Sequence, residues 1–246
     1  MNKRVTHRSL CVLVVGAVIL LVQNAQSQVI VYDNGTQSAY NGNFNFNNAT
    51  AGNQINLAGS ATSDYISSFT FQFDLINSGA NPFAGTPDGQ EAVDLSFYAN
   101  TGAPVSGYAS PGTLLYDSGF YNLTQVGLTY FSEGQNLTYT PDIVVPQDFT
   151  WVVTFTNIPT DETAGLALRS PPTVGGNYQD AWYSTNDGAT WQLDVNGSAL
   201  PGSPTLQFGA EAETSVPDSS CLWFSVLAVG AGLWSVSRVI RRQASS

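Results

Sequence analysis

The middle of this chain predicts an all-β fold, a jelly-roll-like antiparallel β-sandwich, and three observations carry that expectation. In Ser68-Phe69-Thr70-Phe71-Gln72-Phe73-Asp74-Leu75, every odd position is apolar and every even one polar. Ala92–Ala99 and Phe149–Thr156 repeat the same phase. Period-two patterning with aromatic and β-branched residues marks half-buried strands, one face on a core and one in water. Second, shorter candidates surround these three: Val29–Tyr32, Thr113–Tyr116, Val126–Phe131, Leu137–Thr140, Gly165–Arg169, Ala181–Ser184, Trp191–Val195 and Thr205–Phe208. Gly, Pro, Asn and Asp clusters separate them, as in sandwiches and barrels. Third, no helical period runs through residues 28–215. The core expected on this reading is Phe69, Phe71, Phe73, Val93, Leu95, Phe97, Trp151, Val153 and Phe155. A closed barrel is the alternative architecture.

The chain opens with Lys3, Arg4 and Arg8, then an apolar run from Leu10 to Val22, then small residues up to Ser27. That is the layout of a secretory signal, residues 1–27, forming a short helix and cleaved after Ser27. The run is too short to span a bilayer comfortably, which takes about 20 residues, so an uncleaved anchor is the weaker alternative. Residues 28–209 are the expected ectodomain. Within it, 33–63 read as long loops or an irregular first hairpin. Asn77–Gln90 and Thr101–Gly112 are the longest turn-rich stretches. Ala210–Ser215, carrying Glu211 and Glu213, reads as an acidic linker.

Residues 216–246 form a distinct tail. From Cys221 to Ser237 the chain is uncharged, apolar or small, with Trp223 and Trp234 near its ends. At about 1.5 Å per residue, residues 221–237 reach roughly 25 Å, enough for one short transmembrane helix. Arg238, Arg241 and Arg242 follow and would stay on the cytoplasmic side as a membrane stop. A buried core helix is the alternative.

Six of the seven cationic residues thus lie at the two ends. Only Arg169 lies between them, against seventeen Asp and Glu from Asp33 to Glu213. Such a balance excludes nucleic acid as a partner. The only histidine, His7, and Cys11 sit in the signal, and the other cysteine, Cys221, sits in the apolar tail. The ectodomain therefore has no histidine, cysteine or lysine, which excludes Ser-His-Asp and Cys-His catalysis, thiolate or imidazole zinc sites and a Schiff-base lysine. No cofactor is expected.

Val216-Pro217-Asp218-Ser219-Ser220 stands immediately before the apolar segment. This Pro-acidic motif, the hydrophobic stretch and the terminal arginines together resemble the PEP-CTERM class of bacterial sorting tails, in the variant reading Val-Pro-Asp-Ser-Gly. Ser220 stands where that variant has Gly. The resemblance covers residues 216–242. It implies recognition and cutting near the motif by an exosortase-type enzyme, transient anchoring in the inner membrane, and release to or attachment at the outer cell surface or extracellular matrix, often among bacteria that make exopolysaccharide. The stretch from about Phe69 to Gly209 also looks like an uncharacterised domain type found on such sorted proteins. Gly107-Tyr108-Ala109-Ser110-Pro111-Gly112, Leu115–Gly119, Ser170–Gly175 and Asp180-Ala181-Trp182 carry that likeness.

Three clusters are candidates for chemistry. Ser184-Thr185-Asn186-Asp187-Gly188-Ala189-Thr190-Trp191 resembles the Asp-box hairpin, with Asn186 in place of its acid. Sialidases use several such boxes and several arginines, whereas the expected ectodomain has one of each, so the expectation is a structural turn with Trp191 packed beneath it. Tyr178, Trp182, Tyr183 and Trp191, beside Asn177, Gln179, Asp180 and Asp187, suit stacking on sugar rings; filling the core is the alternative. Asp88, Glu91 and Asp94, with Asp117, could offer oxygen ligands to calcium, or simply form a solvated acidic loop. A glycoside hydrolase would need paired carboxylates, and Glu91, Glu133 and Glu162 are the available glutamates outside the expected linker. The reading favoured overall is a non-enzymatic, exosortase-sorted surface or matrix protein. A lectin-like glycan or exopolysaccharide binder is second, and a glycosidase third.

Overall fold

The computed structural model describes residues 26–35, 40–59, 61–128, 131–178, 180–195 and 207–217, and among them it contains strands and no helix. In chain order these are β1 (Gln26–Asp33), β2 (Tyr40–Asn45), β3 (Ala49–Asn56), β4 (Ser63–Ile66), β5 (Ser68–Asn77) and β6 (Ala92–Ala99). Next come β7 (Pro104–Val105), β8 (Tyr108–Ala109), β9 (Leu114–Asp117), β10 (Tyr121–Asn122), β11 (Ser132–Tyr139) and β12 (Ile143–Pro146). The last are β13 (Asp148–Thr156), β14 (Glu162–Arg169), β15 (Gly176–Asn177), β16 (Asp180–Ser184), β17 (Gln192–Val195) and β18 (Ala210–Pro217). Val29–Thr214 forms one compact unit. The chain ends, 1–28 and 215–246, group as another, of which only 26–28 and 215–217 are described.

Two antiparallel sheets face each other, as in a β-sandwich. In the first, β5 is central: β11 pairs along one side, while β14 and β18 lie end to end along the other. β2 continues outward from β14 and β1 from β18. The second sheet runs β6–β13–β3–β16–β17, with β9 and β10 end to end on the outer side of β6 and β15 paired to β3. Two small ribbons, β4–β12 and β7–β8, complete the pairing.

The period-two pattern decides which side of each strand is buried. All nine residues expected in the core are at most 3 % exposed. They interlock across the sheets: Phe69 lies 4.9 Å from Phe97 and 5.4 Å from Trp151, and Phe73 lies 5.9 Å from Phe155. Tilted and edge-to-face pairs of this kind add about 0.5–1.5 kcal/mol each beyond area burial. The even-numbered side of β5 is polar yet also covered. There Arg169 donates from Nε to Gln72 Oε1 at 2.6 Å, and Gln72 donates to Asn136 at 2.8 Å. Asp74 accepts from the Gly134 amide, and burial pushes its carboxyl up to about 6.

Three expectations are corrected. Residues 33–63 are not mainly loop: β2 and β3 lie there, and β3 sits in the middle of the second sheet between β13 and β16. Phe46–Asn48 carries the chain from one sheet to the other, so β2 and β3 do not pair as a hairpin. β3 buries Ala49, Ala51 and Ile55, and small side chains leave a weak hydrophobic pattern. Gly52 admits no side chain, because an added Cβ would lie 1.9 Å from the Trp151 carbonyl oxygen.

Ala210–Ser215 is no linker but part of β18. Ala210 and Ala212 are buried, and the strand is in register with Phe71–Ser68. Val216 and Pro217, expected to open a sorting motif, extend the same strand. Finally, the stretch predicted as a strand at 126–131 begins as turn. β10 precedes it, and Leu123, Leu128 and Phe131 are buried as anchors of the loop. Its residues 129–130, and 205–206 of the strand expected at 205–208, lie outside the described residues; Phe208 makes a single bridge to Leu168.

Candidate functional site

The aromatic cluster does not form one exposed face. Consecutive residues of a strand point to opposite sides, so Trp182 and Tyr183 part company. Tyr183 is half-buried against the core, edge-on to Phe44 at 6.4 Å. Trp182 takes the other side, in register with Gly52 and, through it, Val152 and Ser96. It is 0 % exposed, which removes it from any sugar contact and corrects that expectation. Tyr178 is exposed and donates its hydroxyl to Asp148 at 2.9 Å. Gln179 lies outside the described residues.

Trp191 belongs to the turn instead. Ser184 Oγ donates to Asn186 Oδ1 at 2.9 Å and accepts from the Gly188 amide at 2.9 Å. Asn186 Oδ1 also accepts from the Thr190 amide, while its Nδ2 donates to Thr190 Oγ1. Asp187 and Gly188 both have positive φ, at 52° and 77°, as a tight hairpin turn requires. The Trp191 ring packs under Gly188 and edge-on to Tyr98 at 5.7 Å. Every polar group of the box named here is used inside the turn, which is therefore a structural hairpin, with the Asn186 amide doing the work of the acid.

The four proposed calcium ligands divide into two places. Asp94 lies on the outer side of β6, where Ser96 and Ser118 donate to it at 3.1 and 2.8 Å. Burial first, and then the neighbouring Asp117, hold its carboxyl above the usual range. Glu91 shares the inward phase of Val93, Leu95 and Phe97 and is 0 % exposed. Its two oxygens accept from the Asp88 and Gly89 amides at 2.9 and 3.0 Å. Among the described residues no group of three or more His, Cys, Asp or Glu is placed to hold a metal ion.

The partner that sequence reasoning missed for Glu91 is Glu162. It begins β14 with the inward phase of Ala164, Leu166 and Leu168, so the two carboxyl groups meet between the sheets at one end of the core. Glu162 is 6 % exposed, and its carboxyl lies in hydrogen-bonding contact with Glu91. Burial, the bond to Glu91 and the nearby charges of Glu91, Asp88 and Asp161 push it up to about 8. A protonated Glu162 can donate to an oxygen of Glu91, which also accepts from the two amides. The parity of both residues was legible in the sequence. Their meeting across two sheets was not.

Residues 1–25 of the expected signal, residues 218–220 of the expected motif, the apolar segment 221–237 and Arg238, Arg241 and Arg242 lie outside the described residues. Among the described residues no helix is long and apolar enough to cross a membrane. No protein-family model matches the chain, nor does any curated protein or solved structure.

Proposed function

We propose that this chain is a non-enzymatic surface or matrix protein: a jelly-roll-like sandwich exported by the N-terminal signal and sorted by a PEP-CTERM-type tail. The observation that carries the reading is the charge layout. Basic residues bracket two apolar runs, and between Asp33 and Glu213 seventeen acids stand with a single arginine. The Val216–Ser220 motif before the second run adds an exosortase-type processing enzyme as partner, and membrane contact through residues 221–237. The acidic middle disfavours nucleic acid and suits a hydrated extracellular setting.

Two features of the sandwich support a non-catalytic role. The contacting glutamates, Glu91 and Glu162, are shut away from solvent rather than flanking a cleft. The Asp-box-like turn uses its polar groups on itself. Replacing Arg238, Arg241 and Arg242 together by Ala in a producing cell tests the sorting. The expected outcome is loss of membrane retention and of the processed form on fractionation; unchanged fractionation and an unchanged C-terminus by mass spectrometry would overturn it.

A further inference from the structure

The proposed cleavage after Ser27 makes Gln28 the first residue of the exported chain. Gln28 is exposed, in the leading part of β1. Val29 and Ile30 follow at 44 % and 41 % exposed, and burial begins with Val31 at 5 % and Tyr32 at 0 %. The Val31 carbonyl accepts from the Ala58 amide at 2.7 Å, and the Asp33 amide donates to the Val174 carbonyl at 3.1 Å. Residues 28–30 are thus all that separates the new chain end from the first side chains of the core.

A glutamine at a chain end carries both reactants of a ring closure on one residue. Its α-amino nitrogen attacks the side-chain amide carbon Cδ and a five-membered lactam forms. The amide nitrogen leaves as ammonia, taking the amine's proton with it. No oxidant, metal or second substrate takes part, and holding both groups on one residue makes the reaction internal. With an ordinary α-amino value of about 7.7–8.0, part of the amine is unprotonated and nucleophilic near neutral pH. Asparagine, one methylene shorter, would have to close a strained four-membered ring. The closure needs a side chain free to fold back on its own amine, and the exposed Gln28 offers that freedom. Charge and packing give the lactam a consequence here. Arg169 is the only cationic side chain in residues 28–215, so a free α-ammonium would be the one other positive group. The lactam removes it, and with it the charged end that aminopeptidases grip. An exopeptidase that took residues 28–30 would next remove Val31 and Tyr32, whose loss opens the core.

We propose that Gln28 is a modification site, cyclised to a pyroglutamyl cap that shields the first strand from exopeptidases. The cap depends on the proposed removal of residues 1–27 as a signal, and the experiment separates the two. The full chain is expressed in a producing cell, free amines are dimethylated at lysis, and Asp-N digestion releases residues 28–32 ahead of Asp33. Mass spectrometry finds this peptide lighter than its sequence by one ammonia and without the label. In Gln28→Asn the same peptide keeps its full mass and takes the label. Aminopeptidase trims that variant from residue 28, whereas the parent chain resists until pyroglutamyl peptidase removes the cap. A labelled, full-mass peptide beginning at Gln28 would overturn the proposal and leave the signal standing. Parent and variant trimmed alike would do the same. A chain that still carries residues 1–27 would overturn both.

Discussion

The centre of the sandwich and its acidic end are built on the same strands in the same phase, yet different physics holds each together. Into β6 the inward row runs from Glu91, just before the strand, to Val93, Leu95 and Phe97, and on β14 it runs Glu162, Ala164, Leu166, Leu168. At the centre these rows meet aromatic rings, and stability comes from burial and close packing, which do not respond to pH. At the end the same geometry brings two carboxyl groups together. There Glu162, its carboxyl pushed up to about 8 beside Glu91, stands where the centre has an aromatic contact.

Deleting the centre has the largest expected effect. Trp151→Ala removes a side chain that is 0 % exposed and touches Phe69, Phe71 and Phe208. It should cost about 3–5 kcal/mol in urea unfolding, by the same amount at pH 5 and pH 8. Trp182→Ala should cost nearly as much, because that ring is equally buried on the outer side of the second sheet. Trp191→Ala, half-buried in the turn, should cost clearly less. Equal losses for the two tryptophans would erase the distinction drawn between them.

The acidic end should show itself through pH. Folded Glu162 keeps its proton up to about pH 8, whereas the unfolded side chain releases it near 4.5. Across that window the folded state holds the extra proton, so stability is greatest below it and falls as pH rises. Asp74 acts in the same direction between 3.8 and about 6. Each group should lower stability by up to about 1.4 kcal/mol per pH unit inside its window. Unfolding midpoints that rise between pH 6 and 8 would break the comparison. Glu162→Gln keeps a donor for Glu91 without an ionisable proton. It should flatten the slope above pH 6 and raise stability at pH 8 by about 1–2 kcal/mol.

The smallest change sharpens the reading of the turn. Asn186→Asp keeps the oxygen that accepts from the Thr190 amide and exchanges the donor to Thr190 Oγ1 for an acceptor, which that hydroxyl can satisfy by rotating. Thermal melts should move by the equivalent of about 0.5 kcal/mol or less. A larger loss would mean that the Nδ2 donor holds more than the turn.

How legible each region was depended on side-chain size. Phe69, Phe71 and Phe73 announce their strand because large apolar residues at every second position have no other economical use. Ala49, Ala51, Ala210 and Ala212 sit just as deep, but alanines alternating with polar residues look like linker or loop. β3 and β18 were missed for that reason. The Asp-box-like turn was legible down to its Asn186, because its hydrogen bonds close within eight residues. Trp182 stayed open between sugar stacking and burial, because whether a ring is covered depends on what lies over it.

By itself, then, the sequence determined the phase of the long strands, the absence of His, Cys and Lys from residues 28–215, and the distribution of charge. These are local or compositional properties, carried by neighbours along the chain. The tertiary structure alone decided which distant residues meet, as Glu91 does Glu162. The two are separated by dozens of residues, and only the order in which strands dock into two sheets brings them together.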